Sequence, residues 1–316
     1  MAEVDRPALE ARLAALRAEV ADPGVGIHGP STVTWRITRE VAVFLGGGRA
    51  VLLQLAHPWV AQAIADHSRT RADVTGRVRR TFGLVYTMAF GPLDQAEAAA
   101  RRLHGIHARI TGVLGQGGPG FPAGSRYAAN DVDALTWVWA TLVDSALRVY
   151  QHVHGPLPEP ERDRYVGENH RFAALFGIPA AALPARWSTL AAYVDDTAAR
   201  LPVLEAARTT ADFLLGRPDQ NAAARVLEAV TAELLPAAVR DGFGLRDDAG
   251  SRRLAARVWA GARLITPRLP GLVRFAPAYT QAVRRLAGRP PSSSATWLEA
   301  RWFAAADWPT RGAGPR

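Results

Sequence analysis

Apolar residues recur at the three- and four-residue spacing of a helix along almost the whole of this 316-residue chain. No segment alternates apolar and polar residues between turn dipeptides, as a strand would. Amphipathic helices can bury their apolar stripes only against one another, so the expected fold is all-α, a single multi-helix bundle. Leu9, Leu13 and Leu16 mark an opening helix. The same spacing predicts helices over 49–67, 76–90, 93–114, 131–153, 160–176, 187–200, 206–215, 221–234 and 251–264. Gly- and Pro-marked loops fall at 115–124, 155–159, 177–184 and 267–270. Gly46-Gly47-Gly48 is expected to end one helix and start the next; it follows no strand and lacks a nucleotide fingerprint, which leaves a packing or hinge role. Residues 1–29 read as an N-terminal helical extension, 30–265 as the main body and 266–316 as a C-terminal extension. Trp297, Trp302 and Trp308 favour partial packing of that extension onto the core, with 310–316 loose.

Composition removes several chemistries. With 48% hydrophobic residues the chain can bury a large core. There is no cysteine, so disulfides, thiolate metal sites, iron–sulfur clusters and a cysteine nucleophile are excluded. All 38 basic residues are arginine, which removes Schiff-base and P-loop lysines. The net charge of +9 is spread among Asp and Glu without a reader motif, so nucleic acid is not an expected partner. The charged N-terminus lacks a signal-peptide pattern, and the most apolar run, 51–65, is shorter than a membrane span, so a cytoplasmic location without a transmembrane span is expected; peripheral membrane contact stays open.

The residues with chemical potential cluster between Arg77 and Gly112. His104 and His107 are three apart and share a helix face. Such a pair can bind a metal through both rings, or one ring can be an axial haem ligand; an ordinary pair has one exposed and one hydrogen-bonded ring. Arg77, Arg80 and Thr81 project from one side of the preceding helix near its start, where arginines can hold anionic groups and the hydroxyl can donate; the plain alternative is a solvated arginine-rich turn. His57 lies in an apolar helix beside Gln54, either as a satisfied core residue or lining a pocket, and His67 ends that helix. Thr141, Asp144 and Ser145 are polar positions in an otherwise apolar helix, and Asp144 can orient a pocket arginine or histidine. No nucleophile elbow or Ser-His-Asp order is present.

Four segments carry a family resemblance: Leu52-Leu53-Gln54-Leu55-Ala56-His57-Pro58; Arg77-x-x-Arg80-Thr81-Phe82-Gly83; Ile106-His107-Ala108-Arg109-Ile110-x-Gly112; and Tyr127-Ala128-Ala129-Asn130-Asp131 followed by Trp137 to Ser145. Over residues 30–265 the chain resembles the MpaB/rubber oxygenase (latex-clearing protein) catalytic domain family. The resemblance implies a globin-like helical core holding haem b and oxidative cleavage of an isoprenoid carbon–carbon double bond with dioxygen. It implies His107 as the proximal iron and metal ligand, with Arg77 and Thr81 on the distal side and His57 at the cofactor. Arg80 stands where latex-clearing proteins have a lysine able to cap the iron; arginine is a poor ligand, so an open or water-filled sixth position is implied. Their distal glutamate has no counterpart around 61–65. The expected partners are a small hydrophobic substrate, dioxygen and an unidentified electron donor. Two other classes stay open: a non-catalytic haem or apolar-ligand carrier, and a non-haem metal enzyme using His104 and His107 with a carboxylate such as Asp144.

Overall fold

In the computed structural model, which describes residues 2–67, 74–215 and 221–302 and the side chains among them except 74–79 and 301–302, the backbone is helical nearly throughout. Helices α1 (Arg6–Glu19) and α2 (Val33–Thr38) open the chain, and a 3-10 turn at Val41–Gly46 leads into α3 (Gly47–Ala56) and α4 (Pro58–His67). Then α5 (Val74–Phe90) and α6 (Leu93–His107) run antiparallel, joined by only Gly91 and Pro92. A small antiparallel ladder, β1 (Thr111–Val113) with β2 (Arg126–Ala128), comes before α7 (Val132–His154). The body continues through α8 (Glu159–Ala174), α9 (Trp187–Arg200), α10 (Glu205–Leu214), α11 (Ala222–Leu234), α12 (Ala237–Gly242) and α13 (Ala249–Ile265). Three further helices, α14 (Gly271–Arg274), α15 (Pro277–Leu286) and α16 (Ser293–Trp302), form the C-terminal part. The fold is all-α, as the periodicity requires.

The central element is α7. Asp131 caps it, its side chain accepting from the backbone N–H of Asp133 and Ala134 at 3.0 Å. Its buried residues face several directions, from Trp137 and Trp139 to Leu147 and Val153, because α2, α3, α8, α9 and α13 all pack around it. The two indoles anchor neighbours through their N–H groups: Trp137 donates to the Leu53 carbonyl at 2.8 Å and Trp139 to that of Asn169 at 3.1 Å. Leu9, Leu13 and Leu16 of α1 are buried in the same core. Gly48 is a packing residue: a Cβ there would meet Thr231 Oγ1 at 2.1 Å, which lets α11 approach α3 closely.

The helix expected over 49–67 is broken. The chain bends by 98° at His57, whose backbone is extended at φ −76° and ψ 118°. Pro58 is the cause, since its ring crowds the preceding residue out of the helical region, while proline at the first position of α4 needs no N–H partner. The helix expected over 93–114 stops at His107, because Thr111-Gly112-Val113 pairs with Arg126-Tyr127-Ala128. Gly112 permits that pairing: a Cβ on it would meet the Tyr127 hydroxyl at 2.5 Å. At the C-terminal side, Arg274 donates to both oxygens of the buried Glu40 at 2.8 Å, and α15 packs on α5. Trp297 on α16 is 59% exposed, while the Trp302 side chain, Trp308 and residues 310–316 lie outside the described residues. Among the described residues no single helix is long and apolar enough to cross a membrane.

Between α3 and α7 lies a buried ion pair. Arg49 is fully buried and its guanidinium meets Asp144 at 2.6 Å, Ser145 Oγ at 2.7 Å and the Leu234 carbonyl at 2.8 Å. Arg148 donates to both Asp144 oxygens at 3.0 Å and reaches Asp195 near the surface at 3.3 Å. Removing the carboxylate strands the Arg49 charge among apolar side chains. Asp144→Ala is therefore expected to destabilise the fold by about 3–5 kcal/mol in urea unfolding, the usual cost of breaking a buried pair on one side.

His28, between α1 and α2, is also fully enclosed, and its Nδ1 has no partner. Burial, reinforced by the nearby Arg171 charge, lowers its pKa to about 3. The unfolded chain takes up a proton near pH 6.5 that the folded protein refuses, so this contribution is intact above about pH 6.5 and is lost as the pH falls towards 3. Urea titrations between about pH 6 and pH 4 are expected to show wild type losing up to about 1.4 kcal/mol more per pH unit than His28→Gln.

Candidate functional site

Most of the sequence motifs converge at one end of the α5–α6 hairpin. Because the connection at Gly91-Pro92 is so short, the last turn of α6, with His104 and His107, stands level with the first turns of α5. The β1–β2 ladder follows directly from α6 and is pinned to the end of α4. Tyr127 donates to Asp66 Oδ2 at 2.6 Å, the His67 ring meets the Thr111 carbonyl at 3.1 Å, and Gln62 donates to Asp66 Oδ1 at 2.8 Å. Burial and the neighbouring carboxylate push the Tyr127 phenol up, so it stays a donor.

His107 is partly buried on the last turn of α6. Desolvation, with a smaller contribution from His104, pulls its pKa down to about 4, against a hydrogen bond to the Asn130 side chain that acts the other way. The imidazole is therefore neutral at ordinary pH and keeps a lone pair on one ring nitrogen. Asn130 lies 6% exposed in the link between β2 and α7, and its amide nitrogen donates to the His104 carbonyl at 3.3 Å. Asn130 thus stands beside the last turn of α6, with its carboxamide the polar group next to the His107 ring. Asn130 is the site residue that residue-by-residue reading passes over, although it stands inside the Tyr127–Asp131 motif. His104 faces the other way, its Nε2 2.9 Å from the Val4 carbonyl, where it ties α6 to the N-terminal segment. The two rings share a helix but have different partners.

The first turns of α5 carry Arg77, Arg80 and Thr81. The side chain of Arg77 lies outside the described residues; Arg80 and Thr81 are exposed. On the opposite side of this helix the aromatic rings pack inward, with Phe82 against Phe44 and Tyr86 stacked on Phe90.

His57 sits elsewhere, at the start of α4, roughly 15 Å from His67 at the far end of that ten-residue helix. Its ring is 6% exposed, lies edge-on to Trp59 and Phe121 at 5.7 and 5.1 Å, and has no partner at Nδ1. Burial lowers its pKa to about 4. Gln54 donates to Thr141 Oγ1 at 3.3 Å, so it joins α3 to α7 instead of opening a pocket with His57. Asp144 does orient an arginine, but the arginine is Arg49 of the core. Among the described residues no group of three His, Asp or Glu side chains is arranged to hold a metal ion, so His104, His107 and Asp144 do not form a common ligand set.

The end of the bundle thus presents a partly buried imidazole of lowered pKa beside a helix start whose sequence carries Arg77, Arg79, Arg80 and Thr81. No curated protein and no solved structure matches the chain. The model of the family described as ER-bound oxygenase mpaB/B'/Rubber oxygenase, catalytic domain, matches residues 35–266, a stretch that holds the His107–Asn130 pair and all four motif segments. The chain therefore belongs to the MpaB/rubber oxygenase catalytic domain family, a family of oxygenases.

Proposed function

We infer that this protein is a haem b-dependent oxygenase that acts with dioxygen on a small hydrophobic substrate, an isoprenoid or another alkene, with His107 as the axial ligand. The observation that carries this reading is the setting of His107, partly buried on the last turn of α6 beside the Asn130 carboxamide, where burial lowers its pKa. A ligating imidazole needs a free lone pair on one nitrogen and a hydrogen-bonded N–H on the other, and in this reading the Asn130 carboxamide oxygen is the acceptor for that N–H. Haem, when bound, supplies the redox chemistry with dioxygen, and its electrons come from a donor outside this chain.

The chain's own residues do the positioning. Arg77 and Arg80 bring fixed positive charge to the first turns of α5, suited to the carboxylates of a bound porphyrin or to negative charge that develops during the reaction. Thr81 adds a hydroxyl donor one turn from Arg77. Arg80 stays protonated, so it would not itself ligate the iron of a bound haem. A set using His104, His107 and Asp144 for a non-haem metal is disfavoured, because Asp144 is committed to Arg49 and Arg148 and His104 to Val4.

Protein purified from haem-supplied cells is expected to show a Soret band and stoichiometric haem b by pyridine haemochrome. His107→Ala is expected to lose the band, whereas His104→Ala keeps it, since that ring already has a backbone partner. Asn130→Ala is expected to retain haem with an affinity about 10- to 100-fold lower, the range seen when the group orienting a metal ligand is removed. Wild-type haem content in His107→Ala would overturn the assignment.

A further inference from the structure

The charge of this chain is unevenly placed along its sequence. Between residues 249 and 298 stand nine arginines and no aspartate or glutamate, a formal charge of +9 that equals that of the whole protein. The other 266 residues hold 29 charges of each sign and are neutral in sum. The same stretch, which runs from the start of α13 into α16, also holds seven of the eleven large apolar side chains left exposed among the described residues. Neither property alone marks a site, since arginine suits water and single apolar side chains are normal on a surface. Here the two coincide.

They meet at the end of α13. Ala255 and Trp259 form the buried side of that helix, while Arg253, Arg257, Ala260 and Leu264, spaced by three and four, make an exposed stripe about 16 Å long on the other. Ile265 continues the stripe, and after the turn at Thr266–Arg268 the short helix α14 presents Leu272 and Val273. Leu264, Ile265, Leu272 and Val273 are 60%, 54%, 48% and 50% exposed. Arginines hold this turn together through backbone carbonyls: Arg268 donates to Leu264, and Arg274 to Pro267 at 3.4 Å. Arg253 and Arg263 likewise donate to carbonyls, of Ala249 at 2.9 Å and His152 at 2.6 Å. A carbonyl fixes a guanidinium without cancelling its charge. Asp247 pairs with Arg252, the buried Glu40 with Arg274, and Glu233 of the neighbouring α11 is exposed near His152, where it opposes Arg263. Most of the positive charge is therefore uncompensated. An isologous contact with a second copy would set these arginines against one another, and nucleic acid offers phosphate but no hydrocarbon. A bilayer with anionic headgroups meets both needs, with negative charge at its surface and acyl chains just beneath.

We propose that the outer face of α13 and α14 is a membrane-docking surface, with Leu264, Ile265, Leu272 and Val273 entering the headgroup boundary of an anionic phospholipid bilayer and Arg253 and Arg257 resting on its phosphates. α14 lies beyond residue 266, where the family match ends, and the proposal does not rest on the haem reading. It is tested by flotation of the full chain with vesicles of phosphatidylcholine alone and of phosphatidylcholine with about 30% phosphatidylglycerol. The anionic vesicles are expected to bind at least about tenfold more tightly, an advantage that shrinks as added salt takes the Debye length below about 10 Å. Arg253→Gln combined with Arg257→Gln should weaken binding to them about 25-fold, at about fivefold per arginine. Leu272→Ser combined with Val273→Ser, at exposed positions, should weaken it about tenfold, which tests the apolar half independently of the charge variant. His107→Ala should bind vesicles as the wild type does. The proposal is overturned by equal binding to neutral and anionic vesicles, by binding to neither, or by unchanged binding in either double variant. It is also overturned by a dimer in sedimentation equilibrium that the Leu272 and Val273 double variant dissociates, which would give this face to a second copy.

Discussion

The contact between Arg49 and Asp144 is the constraint on which the arrangement of the core depends. Moving two charges out of water costs several kcal/mol each, and a pair offsets this only when the remaining donors and acceptors are also satisfied. Here they are, and each extra bond ties down a different element. The Leu234 carbonyl brings in the end of α11, Ser145 holds the guanidinium on α7, and the Arg148 guanidinium bridges Asp144 to Asp195 on α9. Apolar contacts tolerate sliding of one helix past another, whereas a charge with three directed partners does not. The pair therefore sets the register of α3 against α7, and Trp137 repeats the constraint one segment away through Leu53.

Once α3 is registered, Pro58 determines where α4 goes. The 98° bend at His57 sends α4 away from α7, so that its far end meets the β1–β2 ladder. Asp66 and His67 grip that ladder through Tyr127 and Thr111, and the ladder delivers Asn130 to the last turn of α6. The placement of Asn130 beside the last turn of α6 is thus a consequence of core geometry passed along α4 and the ladder. This explains why a three-residue strand pair persists in a helical protein: paired strands are the shortest device that fixes the distance between α6 and the start of α7.

Much of this architecture is legible in the sequence, and the failures share one cause. The helix over 187–200 is found as read, and Asp131 and Asn221 cap helices where their side chains announce it. Leu9, Leu13 and Leu16 face the core because a single helix encodes that stripe by itself. The break at His57 is signalled by Pro58, yet the apolar run across 51–65 has the period of one continuous helix. What cannot be read is any role created by contact between distant segments. Asp144 looks like a partner for a site residue until Arg49 is seen beside it. Asn130 looks like a turn residue until β2 is placed against α6. The Arg77, Arg80 and Thr81 cluster, by contrast, is visible because its members share two turns of one helix.

The same reasoning separates the two ends of the α5–α6 hairpin. At the His107 end the imidazole is partly buried beside the Asn130 carboxamide, and desolvation lowers its pKa. At the Phe90 end the contacts are aromatic, with Phe90 against Trp35 at 5.4 Å and Tyr279 at 5.8 Å. A neutral imidazole is suited to a ligand that takes a lone pair; a cluster of packed rings is suited to anchoring the turn of the hairpin on α2 and α15. The rings of Phe82, Tyr86 and Phe90 on α5, with Phe44 of the 3-10 turn and Trp35 of α2, form a packed column along one side of that helix. Close-packed rings resist compression, so the column fixes how far the helix that presents Thr81 stands from α2 and the turn before α3.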